Sequence, residues 1–92
     1  MKMNRIVVTV VGKDKVGIIA GVANTLAGCN ANIIDISQTI MQEFFTMIML
    51  VDISGCSVDY EALNQLLQKC GEALEVKITA QHEDVFHFMH RI

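Results

Sequence analysis

The sequence predicts an α+β sandwich: one four-stranded antiparallel sheet, two helices on one of its faces, and a short C-terminal helix. Three observations carry this. Asn4 to Val11 and Phe44 to Ile53 are apolar on both faces, as strands in the middle of a sheet are. Asn32 to Met41 and Leu74 to Gln81 alternate with a period of two, as half-buried strands do. Between these segments lie two stretches whose apolar residues recur at helical spacing.

Taken in order, strand one is rich in β-branched residues and ends where Gly12 to Lys15 breaks it. Val16, Ile19, Val22, Ala23 and Leu26 then trace helix one, with Gly28 as its stop. Strand two puts Ile34, Ile36 and Ile40 on one side and Asp35, Ser37 and Thr39 on the other, broken only by Gln38. A short turn near Gln42 and Glu43 makes a hairpin with strand three. Ser54 to Ser57 is turn chemistry, and Ser57 or Asp59 caps helix two. The apolar stripe of that helix is Leu63, Leu66, Leu67, Cys70 and Leu74, with Gly71 as a stop signal. Strand four turns Val76, Ile78 and Ala80 inward and fits a sheet edge. The tail, about 84–92, places Val85, Phe88, Met89 and Ile92 on one helical face. This is the split βαβ, ferredoxin-like βαββαβ order. Right-handed crossovers put both helices on one face, with strands one and three central.

Ninety-two residues, 52% of them hydrophobic, suffice for one domain spanning 1–92, and no stretch has linker composition. A net charge of −3 and a pI near 5.4, with only 5% aromatic residues, argue against nucleic acid as a partner. No apolar run is long enough to span a bilayer, and the first residues do not read as a secretory signal, so the expected location is cytoplasmic, without a membrane partner. Cys29, Cys56 and Cys70 are odd in number and lack C-x-x-C spacing, which favours buried free thiols over disulfides or a zinc site.

The loop Gly12 to Gly17 matches G-x-x-x-x-G, but Ile18 and Ile19 stand where a phosphate-binding loop needs a lysine and a hydroxyl residue. What remains is a glycine that lets the backbone turn, and free amides at the start of helix one that can hold an anion. The plainer alternative is a turn and a helix start. Gly17 and Gly21 read as close packing of helix on sheet. His82, His87 and His90, beside Glu83 and Asp84, read as a solvated tail in preference to a metal cluster, and the expectation is no metal and no cofactor. Histidines occur only in that tail, away from the cysteines, so the chain is not expected to be an enzyme.

At Asp14-x-x-Gly17-Ile18-Ile19, Val22-Ala23-x-x-Leu26 and Asn32-Ile33-x-Asp35-Ile36, the chain resembles the ACT domain family, the amino-acid-sensing modules of metabolic regulation. Glu43 to Leu50 resembles free-standing ACT proteins and the ACT repeats of glycine-cleavage transcriptional regulators. The resemblance implies domains paired side by side or face to face. A small ligand, usually an amino acid, then sits between the loop before helix one and the strand-two entry of a partner. On this chain it points to Asp14, Lys15, Val16, Gly17, Ile18 and Ile19 on one side, and Asn30, Ala31, Asn32 and Ile33 on the other. In that arrangement the helix-one amides and Asn32 hold a carboxylate, and Asp14 accepts from an ammonium group.

Two helices on one face leave the other uncovered although strands one and three are apolar on both sides, so a homodimer is expected. The cover could come through the open face, a strand edge or the amphipathic tail. ACT modules commonly regulate an attached domain, and one domain over 92 residues implies a protein partner of unknown identity, acted on in trans. The resulting reading is a regulatory module that senses an amino acid or related metabolite at a homodimer interface. Its alternative is a ligand-free protein–protein interaction module.

Overall fold

The computed structural model describes residues 4–13 and 16–84. The expected loop residues Asp14 and Lys15 lie outside them, as does the expected terminal helix beyond Asp84. Within the described residues the order is β1 (Arg5–Lys13), α1 (Ile18–Gly28), β2 (Asn32–Met41), β3 (Phe44–Asp52), α2 (Tyr60–Leu74) and β4 (Val76–His82). All four strands join one antiparallel sheet in the order β2-β3-β1-β4. The ferredoxin-like expectation is borne out, with the two doubly apolar strands in the centre and β4 at an edge.

The core lies between the sheet and the helices. Ile6, Val8 and Val10 of β1 and Met47, Met49 and Val51 of β3 alternate toward it. Val22 and Leu26 of α1 and Leu63 and Leu67 of α2 close it from above. Spacings of four residues place each helical pair on one face, toward the sheet. The other residues of β1 and β3 form the opposite face, where Val11, Phe44 and Ile48 remain exposed.

Three local expectations need correction. β1 continues through Gly12 and Lys13, which pair with Phe45 and Phe44, so Gly12 does not break it. It is glycine because a Cβ there would stand 2.7 Å from Val76 Cγ1 of the neighbouring strand. Gly71 does not stop α2, which runs on to Leu74 and is closed by Glu75 at φ 60°. A side chain at Gly71 would meet Val76 O at 2.8 Å, so this glycine lets the helix approach β4. Gly21 packs helix on helix instead of helix on sheet, since a Cβ would lie 2.9 Å from Leu74 Cδ1 of α2.

Two other predicted features hold. Asp59 caps α2, its Oδ1 accepting from Ala62 N at 2.8 Å, a contact worth about 1 kcal/mol. Gln42, at φ 56°, turns the hairpin between Met41 and Phe44. β2 departs from its half-buried description: Ile36 and Ile40 face the helix side of the sheet, opposite Met49 and Phe45, yet stay 42% and 56% exposed. The helices stop short of this edge.

Candidate functional site

The first half of the expected site is the entry to α1. Gly17 occupies the N-cap position at φ 95°, a left-handed conformation that a Cβ would strain, and its carbonyl accepts from Gly21 N at 2.8 Å. No side chain caps the helix and no acidic residue stands in its first turn. The first-turn amides therefore carry the positive end of the helix dipole, and among the described residues no anion meets them. Val16 is fully exposed, Ile19 is exposed, and Ile18 is buried in the core, so Ile18 offers a backbone amide and no side chain.

The second half is the entry to β2. Asn30 stands at φ 60° just past α1, where its N–H closes the helix on Ala27 O. Its side-chain Nδ2 donates to Gly55 O at 2.9 Å, tying this corner to the loop after β3. Ala31 and Ile33 are half-buried against the core. Asn32 is exposed and pairs with Asp52, the last residue of β3.

Asp52 is a carboxylate that the sequence reading did not single out. It accepts from Ser54 N at 2.9 Å, and this bond, then the Ser54 hydroxyl and the charge of Arg5, hold its carboxyl below the ordinary value of 3.8. It is thus ionised beside Asn32. Of the thiols only Cys29 is buried, Cys56 and Cys70 being half-buried, a correction to the expectation that all three are interior. Burial, followed by the neighbouring Cys29 and Asp52, pushes the Cys56 thiol up, which keeps it protonated and a poor nucleophile. Among the described residues no group of three or more His, Cys, Asp or Glu could hold a metal ion, and no helix is long and apolar enough to cross a membrane.

Within one chain these halves do not meet. They flank α1, whose 11 residues span about 16 Å. The pairing of Lys13 with Phe44, and of Phe44 with Met41, sets the exit of β2 at the same end of the sheet as the exit of β1, which leads into α1. The entry of β2 sits at the other end. Between the two ends runs the outer edge of β2, and among the described residues no side chain of another element hydrogen-bonds to it.

A family model described as an ACT domain matches residues 4–81. A UPF0237 protein of Methanocaldococcus jannaschii is 57% identical over 90 residues, which is 98% of this chain and 100% of that one. A solved ACT domain protein from Streptococcus pneumoniae superposes with a TM-score of 0.80 at 41% identity, covering 92% of this chain and 96% of its own. A candidate glycine cleavage system transcriptional repressor shares the fold at a TM-score of 0.77 and 23% identity, covering 88% of this chain and 47% of that one. The βαββαβ order, the left-handed glycine at the entry to α1 and these matches agree, and the chain belongs to the ACT domain family, whose domains are in general regulatory ligand-binding modules.

Proposed function

We propose that this chain is a cytoplasmic, non-catalytic regulatory module that binds an amino acid or related small metabolite between two copies of itself and relays occupancy to a partner protein. The observation that carries the reading is the separation of the two half-sites along α1. Antiparallel pairing of two copies through β2 sets the exit of β2 in one copy beside the entry of β2 in the other. The uncapped amides of α1, at the exit end, then come next to the partner's Asn32 and Asp52. A zwitterion suits that arrangement: its carboxylate takes the α1 amides and Asn32, and its ammonium group takes Asp14, with the ionised Asp52 as a second acceptor.

A thermal-shift screen of the amino acids tests this. A ligand present at a hundred times its dissociation constant adds about 2.7 kcal/mol of stability. Asp14→Ala and Asn32→Ala each lower its affinity; unchanged affinity in both would place the ligand elsewhere. The open β2 edge also supports a second reading, a ligand-free interaction module, which predicts association without any response to the screen.

A further inference from the structure

α1 and α2 lie side by side over the sheet with a groove of about 550 Å³ between them, on the outer surface of the helical layer. It shares no residue with either half-site described above, although its Cys29 adjoins Asn30. Leu66, Leu74 and Cys70 of α2 and the buried Cys29 line it, and the small residues Gly21, Gly28 and Ala73 leave room along it. The two glycines have different reasons. Gly21 is required by the contact with Leu74, but a Cβ at Gly28 would meet nothing within 4 Å, and its φ is not positive. A glycine at the end of a helix that neither conformation nor packing demands costs up to about 1 kcal/mol relative to alanine. It leaves open space at the α1 side of the groove.

The groove has a polar side. Lys69 of α2 and Asn24 of α1 line it, both exposed, and neither has a hydrogen-bond or ion-pair partner among the described residues. Lys69 is the one charged residue in the lining. From Gly21 to Gly28 it runs about 10 Å. An apolar trough of this volume, with a cation and an amide on its rim, has the composition of a small-molecule site.

We infer that the α1–α2 groove is a second ligand site, for a short aliphatic carboxylate whose chain lies on Leu66 and Leu74 and whose carboxylate meets Lys69 and Asn24. The inference does not rest on the amino-acid site. Occupancy would bridge the two helices and so bear on the entry of α1, where the other half-site begins.

The test is a titration of the full-length, isotopically labelled protein with octanoate, octanol and octylamine, followed by amide chemical shifts. Octanoate shifts Asn24, Gly28, Lys69 and Ala73 saturably and binds more tightly than octylamine. Lys69→Gln weakens octanoate about tenfold and leaves octanol unchanged. Gly28→Leu fills the open space and removes both. Should that variant not fold, Ala73→Phe, at an exposed position of α2, closes the same groove. No saturable shift, shifts centred on Ile19 and Asn32, or equal octanoate affinity in Lys69→Gln would each overturn the inference; only the second of these would bear on the amino-acid site.

Discussion

The two edges of the sheet are treated differently. At β4, Gln68 Nε2 donates to Ile78 O and the Tyr60 hydroxyl donates to Ala80 O, both at 2.7 Å. Residues two apart on a strand turn their carbonyls the same way, so α2 serves two successive acceptors as a neighbouring strand would. β4 also carries Lys77 on its exposed side, a common guard against edge pairing. At β2 there is neither device. Its ten residues include no Lys, Arg or Pro, and Ile36, Ile40 and Met41 are exposed along it. Among the described residues two side-chain donors serve one edge and none serves the other, so β2 is the edge left for the pairing proposed above.

The contrast can be broken at several points. Gly71→Val attacks the covered edge, because a Cβ already meets Val76 O at 2.8 Å and larger atoms would push α2 off β4. It is expected to cost about 3 kcal/mol in chemical denaturation. A small loss would mean that α2 docks more loosely than this contact implies.

Ile36→Lys gives the open edge the guard it lacks. With two copies paired through β2 as proposed, self-association should weaken by about 2 kcal/mol, roughly thirtyfold in the dissociation constant, while the monomer changes by less than about 0.5 kcal/mol. Sedimentation velocity over a concentration series reads this, and an unchanged constant would move the dimer contact to the open face of the sheet.

Tyr60→Phe removes one of the donors that serve β4 and keeps the ring. The expected loss is about 1 kcal/mol with no change in oligomeric state; a gain in association would show that the hydroxyl guards the edge as well as stabilising it.

The smallest effect is at Asp52. Its carboxyl titrates below 3.8 in the folded chain, so its contribution to stability is present above that value and is lost as pH falls through the folded pKa. Asp52→Asn should therefore be less stable than the parent near neutral pH, and the difference should shrink toward zero on acidification below 3.8. A difference that persists in acid would assign the loss to packing.

Much of this molecule is legible in local pattern. The β-branched runs, the helical stripe of α2, the Asp59 cap and the turn at Gln42 each depend on residues within a few positions of one another, and each stands where the sequence places it. The glycines were harder. Gly12 and Gly71 look like breaks because a glycine's effect on its own segment can be read, whereas the approach of Val76 to both depends on how distant elements pack.

The site divides along the same line. Sequence determines that the chain turns at Gly17 near the start of α1 and that Asn32 opens β2, because both follow from local backbone chemistry; that Gly17 itself is the N-cap, with no side chain bonding to it, is a finding of the structure. Only the tertiary structure decides what lies opposite them. Counting back from the two-residue turn would pair Ile33 with Asp52; the irregularity at Ile34 shifts the register by one, so that Asn32 meets Asp52 and Ile33 turns toward Val51 and the core. One inserted residue exchanges the faces of its neighbours, since side chains alternate along a strand. Whether the insertion is tolerated depends on the sheet around it, which no local pattern of β2 contains.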